Sequence, residues 1–166
     1  AVSQTPAVLP PVTFTARART EFIATVETVK AAKRAVLADV RSAPEFLGEV
    51  SGYSYLEAKG RIPGAVALGN ADDSARLYQN ADGSLRDVES IRTMWREAGI
   101  LNGREIIFYC GGGWRSSLAF LYARAMGLKA IRNYSDGWSD WSTLYDRTDG
   151  VAWRQRPSGN PVARGR

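Results

Sequence analysis

The single cysteine of this chain stands in "YCGGGWRSS", residues 109–117, where Cys110 is followed by three glycines, a tryptophan, an arginine and two serines. A cysteine can act as a nucleophile only if something favours its thiolate, and the usual partner is imidazole. The chain contains no histidine. That absence removes a Cys-His dyad, a Ser-His-Asp triad and any histidine-ligated metal site together. What remains is the loop itself. Gly111, Gly112 and Gly113 permit positive φ, so successive backbone amides can curl around one point and form a nest for an anion. A helix opening just after them would add about half a positive charge at its N-terminus, and Arg115 would add a full one. In that field the thiolate is the favoured form, and no separate base is required.

The plainer alternative is a buried cysteine acting as a small hydrophobe before a flexible turn. Three consecutive glycines carry a conformational-entropy cost that an ordinary turn does not demand, which favours the nest. Nucleotide-binding loops do not fit. The lysine and spacing of G-x-x-x-x-G-K-[ST] are missing, and G-x-G-x-x-G fails after Gly113.

A nest of this kind must be held between a strand and a helix. "EIIFYC", 105–110, is a short continuous apolar run, as are "AVLADV", 35–40, "GAVAL", 64–68, and more weakly "AIRNY", 130–134. Such runs suit strands buried on both faces of a parallel sheet. Between them, "DVESIRTMWREAG" aligns Val88, Ile91, Trp95 and Ala98 on one stripe before Gly99. "SSLAFLYARAMG" does the same with Leu118, Leu121, Tyr122 and Ala125 before Gly127. "EFIATVETVKAAK" predicts a first helix with Thr20 as its cap. Strands alternating with helices imply βαβ units, hence an α/β domain whose ligands bind beyond the carboxyl ends of the strands. Cys110 stands at such an end.

The chain has 166 residues, 45% of them hydrophobic and 23% charged, which suits one well-buried core. Residues 1–20 read as a linker or N-terminal arm, 21–148 as the catalytic domain, and 149–166 as a basic tail containing Pro and Gly. The missing initial methionine leads us to expect a removed leader or a fragment of something longer. A net charge of +5 is spread among acidic neighbours except in "WRQRPSGNPVARGR", so a pocket for small anions is favoured over nucleic acid. No stretch reaches the roughly 20 apolar residues of a membrane span. One cysteine forbids an intrachain disulfide and leaves cytoplasm and periplasm both open.

Four blocks of the chain, in order, resemble the rhodanese family of sulfurtransferases. "LADVRSAPEFLG" supplies an Asp-x-Arg in Asp39 and Arg41 and a Glu-Phe in Glu45 and Phe46; "GRIPGAV" is similar to the family's G-H-I-P-G-A. "YCGGGWRSS" resembles its loop C-x-x-G-x-R-S, and "YSDGWSDW" its G-G-W-x-x-W. The resemblance runs from about residue 14 to about residue 145 and implies a central five-stranded parallel sheet flanked by helices on both faces. It also implies a persulfide on Cys110, formed from thiosulfate or a related small anionic donor, and passed to a thiophilic acceptor such as cyanide or a thiol, with no metal or organic cofactor. Mercaptopyruvate is the less favoured donor. The lead-in helix resembles that of the catalytic half of tandem sulfurtransferases, so a second rhodanese-like domain or partner protein is expected.

Within that reading Cys110 is catalytic, and Gly111, Gly112, Gly113, Trp114, Arg115 and Ser116 bind the persulfide or substrate. Ser116 also caps the following helix, and Trp114 lines the pocket mouth or meets a partner. Asp39, Arg41, Arg61 and Trp138 are supporting residues or anion guides. Related phosphatase domains have a loop one residue longer than the four residues between Cys110 and Arg115 here, and the narrower cradle favours sulfur over phosphate. Arg61 stands where the family often has histidine, "SGYSYLEAK" lengthens the connection before it, and Glu45 lies where some relatives carry a second anion-binding arginine. A binding module without chemistry and, less favoured, a phosphatase are the competing readings.

Overall fold

The computed structural model describes residues 10–68, 74–148 and 152–165. Strands β1 (Val36–Asp39), β2 (Val66–Ala67), β3 (Ile106–Tyr109) and β4 (Ile131–Tyr134) form one parallel sheet in the order β2-β1-β3-β4. A fifth position is only hinted at, by an isolated parallel bridge between Ile23 and Asn133 on the outer edge of β4. Each expected strand is present and trimmed at its ends.

β3 is central and buried along its whole length, which is why its sequence shows no polar alternation. Ile106 and Phe108 face one core, with Ile91 and Trp95 of α3 (Val88–Glu97) and Ala119 and Tyr122 of α4 (Trp114–Ala125). Ile107 and Tyr109 face the other, with Val29 of α1 (Val26–Ala31) and Trp138 and Trp141 of α5 (Gly137–Ser142). Alternating side chains on one strand thus divide two cores, and Cys110, next in register, falls on the α3–α4 side.

Local signals set the helix ends. Asp87 caps α3, accepting from the Ser90 amide at 2.9 Å. The first helix differs from its prediction: Thr20–Phe22 is a 3-10 turn, the Ala24 amide donates to the Asn133 carbonyl, and α1 begins only at Val26 with Thr25 as cap. Pairing to the sheet edge overrides the helical periodicity there. Helix α2 (Ala43–Leu47), not anticipated as a helix, is set by a capping box between Ser42 and Glu45.

The C-terminal segment also differs from the tail expected from residue 149 onward. β5 (Thr143–Thr148) and β6 (Ala152–Pro157) form an antiparallel hairpin, and the chain beyond it docks, Ala163 pairing with Arg61 and the Gly165 amide donating to Leu47. Gln155 of β6 bonds the backbone of Tyr55 and Glu57, bracing the 51–59 connection. Basic composition concealed the strand because β pairing depends on a partner, here β5, and not on charge.

Candidate active site

Cys110 follows β3 directly, and the three glycines carry the chain into α4. Only Gly113 of the three has positive φ, +87°, correcting the expectation that the whole run would use that freedom. Close approach explains the others unequally. A Cβ on Gly111 would lie 1.9 Å from a ring carbon of Tyr53, and one on Gly113 would lie 2.6 Å from the Ser135 carbonyl oxygen. At Gly112 the nearest atom is an ordinary 3.8 Å away.

Helix α5 orients the loop from behind. The Trp138 amide donates to the Cys110 carbonyl at 2.7 Å and the Ser139 amide to that of Gly111 at 3.0 Å. Gly137, φ +54°, permits this approach, since a Cβ there would stand 2.3 Å from the Cys110 carbonyl oxygen. With those carbonyls turned toward α5, the loop amides are released on the opposite side. The Gly113 amide donates to the Cys110 sulfur at 3.1 Å. Among the described residues the amides of Gly111, Gly112, Trp114, Arg115 and Ser116 meet no acceptor. Ser116 is not the cap expected of it, since Gly113 is the N-cap of α4; it is buried in the first turn, where its hydroxyl donates to the Gly113 carbonyl.

Arg115 does not stand free beside the sulfur. Nη1 donates to Glu45 Oε2 at 2.8 Å and to the Ser74 hydroxyl; Nη2 donates to Glu45 Oε1 at 2.8 Å and to the Tyr53 hydroxyl. All four terminal N–H groups therefore have acceptors. Burial works against the charge on both partners, yet mutual attraction outweighs it, holding Glu45 below and Arg115 above their ordinary values. Tyr53 closes the assembly, with its ring on Gly111 and 5.2 Å from the guanidinium carbon. Burial, with the nearby Cys110 adding to it, pushes its phenol up to about 12. Cys110 is 0% exposed, its side chain on the α3–α4 core, whereas Trp114 is 90% exposed at the start of α4.

The other residues singled out in the sequence lie apart from the sulfur. Arg41 and Asp39 form a buried bidentate pair; Arg41 Nη2 also bonds the Gly60 carbonyl, and the Tyr109 hydroxyl donates to Asp39 Oδ2 at 2.6 Å. Arg41 lies over the ring of buried Trp138, whose indole N–H reaches the Ala58 carbonyl. This cluster ties the ends of β1 and β3 to the 58–62 connection. Arg61 bonds the carbonyls of Phe46 and Gly165, toward the docked C-terminal segment. Tyr53, Ser74 and Gly137 were not singled out individually in the sequence. The long connection containing Tyr53 was the one available signal for it.

Beside Gly112 an open groove of about 500 Å³ runs between Tyr55 and Tyr145, and the charged residues lining it are Asp136 and Asp140.

A family model described as a rhodanese-like domain matches residues 21–144. The chain is 44% identical over 111 residues to the thiosulfate sulfurtransferase YnjE of Escherichia coli, covering 66% of this chain and 26% of that protein. It is 34% identical to a putative thiosulfate sulfurtransferase of Haloferax volcanii, covering 65% of this chain and 38% of that one. It thus spans between about a quarter and two fifths of the length of these relatives. The crystal structure of YnjE superposes with a TM-score of 0.74 at 36% identity, over 90% of this chain and 34% of that one. A structure of EanB as a persulfide in a tetrahedral intermediate state with ergothioneine gives 0.72 at 34% identity, over 89% of this chain and 33% of that one.

Proposed function

This chain belongs to the rhodanese-like domain family, and from that premise we propose that it is a sulfurtransferase working through a Cys110 persulfide. The observation that carries the reading is the loop: one backbone N–H, that of Gly113, is on the Cys110 sulfur, and five neighbouring loop amides have no acceptor among the described residues. Such a ring stabilises negative charge on sulfur without a histidine.

In the first half-reaction the Cys110 thiolate attacks the outer sulfur of thiosulfate or a related donor. A new S–S bond forms as the donor's own S–S bond breaks, and sulfite leaves with the electron pair. In the second, a thiophilic acceptor such as cyanide or a thiolate attacks the outer sulfur of the persulfide and Cys110 departs as thiolate, which is a ping-pong scheme. The amides of Gly111 to Ser116 hold the outer sulfur between the two steps. Trp138 and Ser139 keep the ring in shape by binding the carbonyls of Cys110 and Gly111. Asp39, Arg41 and Trp138 support the loop from behind.

Relatives named thiosulfate sulfurtransferase and the EanB persulfide support this class of chemistry. A second rhodanese-like domain or partner protein fits the exposed Trp114 and Tyr55 beside the loop, and the relatives are longer than this chain. Among the described residues no helix is long and apolar enough to cross a membrane.

Intact-mass measurement after incubation with thiosulfate tests the reading. We expect one added sulfur atom on the wild type and none on Cys110→Ser; an unchanged wild-type mass at saturating thiosulfate and at saturating aryl thiosulfonate would overturn it. The binding-module reading draws on the complete burial of Cys110 and predicts no adduct from any donor.

A further inference from the structure

Resting on the sulfur-transfer reading, we propose that Glu45 is a specificity-determining residue that turns the site away from dianionic donors, thiosulfate among them, and toward donors carrying less negative charge. It acts by occupying Arg115, the cation of the loop.

Three observations converge on this. The first is that nothing on the guanidinium's terminal edge is left for an oxyanion. Two N–H groups go to the carboxylate of Glu45, one to Ser74 and one to Tyr53. The second is that Glu45 is fixed where it stands. Its Oε2 also accepts from the amide and hydroxyl of Ser42 in the capping box of α2, and the residue is 3% exposed. Gly52, φ +81°, lies against it so closely that a Cβ would be 2.1 Å from Oε1, so the 51–55 connection can close over the carboxylate only with glycine there.

The third observation is that two further arginines singled out in the sequence are engaged elsewhere. Arg41 is buried in its pair with Asp39, and Arg61 is turned toward Phe46 and Gly165. Among the described residues the groove beside Gly112 is lined by Asp136 and Asp140 with no lysine or arginine. A dianion that is to use Arg115 must therefore displace a carboxylate that already satisfies it, and the groove beside the loop adds two further carboxylates to the local field. A neutral, zwitterionic or singly charged sulfane donor meets less of that penalty.

The test separates binding from chemistry. Affinity for sulfate and thiosulfate is measured by calorimetry on Cys110→Ser and on Cys110→Ser combined with Glu45→Gln. Freeing the guanidinium should tighten dianion binding roughly tenfold and make it weaken with added salt, as expected for an exposed charge pair. In the active protein, kcat/KM is compared for thiosulfate and for an aryl thiosulfonate, which undergoes the same S–S cleavage with one charge fewer. Glu45→Gln should raise the thiosulfate value through KM and leave the thiosulfonate value within about twofold. Unchanged dianion affinity, or an equal effect on both donors, would overturn the role of Glu45 even if Cys110 is loaded normally. Tighter dianion binding with no sulfur adduct from either donor would uphold Glu45 and remove the sulfur-transfer reading. If Glu45→Gln does not fold, Glu45→Asp, which keeps the charge but shortens its reach, serves in both arms with a smaller change of the same sign.

Discussion

The phenol ring of Tyr53 rests on the Cα of Gly111, so close that a single methyl group there would overlap it. The contact joins a residue of the long 51–59 connection to the first residue after Cys110 and closes that side of the loop.

Gly111→Ala should force that ring aside and expose the thiol. Losing about 1.4 kcal/mol of closing energy corresponds to about a tenfold faster alkylation of Cys110 at constant pH. Iodoacetamide kinetics on wild type, Gly111→Ala and Tyr53→Ala check this; equal rates in all three would show that the cover does not limit access.

The Glu45–Arg115 pair should make stability depend on acid. Burial alone would raise the Glu45 carboxyl, but the hydrogen bonds and charge of Arg115 dominate, so it titrates below the ordinary 4.5. A depressed folded value contributes stability fully present above the unfolded value and lost as pH falls through the folded one. Urea midpoints of wild type and Glu45→Gln should therefore be well separated at pH 7 and converge as the pH drops below about 4.5. A gap that stays constant down to pH 3 would argue against an ionised pair.

Gly137→Ala should be among the most damaging single substitutions near the site. The residue combines φ +54° with a Cβ position 2.3 Å from the Cys110 carbonyl. Backbone strain of this kind is worth on the order of 1–3 kcal/mol, before the clash is counted. Thermal unfolding should fall by several degrees, and the folded fraction should load sulfur poorly because the loop carbonyls lose their donors. Normal loading would mean that α5 does not shape the ring of amides.

Asp39→Asn should lower stability without altering donor selectivity. Asp39 and Arg41 are fully buried and touch Tyr109 and Gly60 rather than the loop sulfur. Breaking such a pair typically removes about 3–5 kcal/mol. Chemical denaturation should show that loss, while relative kcat/KM for two donors of different charge stays unchanged. A shift in that ratio would give Arg41 a direct part in anion binding.

Much of the architecture was legible along the chain. Uniformly apolar runs mark strands buried on both sides, and the stripe of Val88, Ile91 and Trp95 marks a helix that buries one face. These patterns are local, so periodicity reports them. The start of α1 was misplaced because Ile23 and Ala24 pair with the edge of β4, an interaction that helical spacing cannot reveal. β6 was hidden for the same reason, since its partner β5 defines it.

By itself the sequence determined the chemistry on offer: one thiol, no imidazole, a glycine loop between a strand and a helix, and an arginine four residues beyond the cysteine's neighbour on that loop's far side. These follow from residue type and short-range spacing, which survive without coordinates. Tertiary structure alone decided what surrounds that chemistry. Glu45, 70 positions from Arg115, meets it only because α2 and the active loop converge at the carboxyl end of the sheet. Tyr53 packs on Gly111, and α5 binds the loop's carbonyls, through contacts that are likewise not local in the chain. Charge pairing and cover depend on which side chains fold against one another. The sequence therefore singled out the thiol, while the fold determined how much of Arg115's charge is left for a ligand.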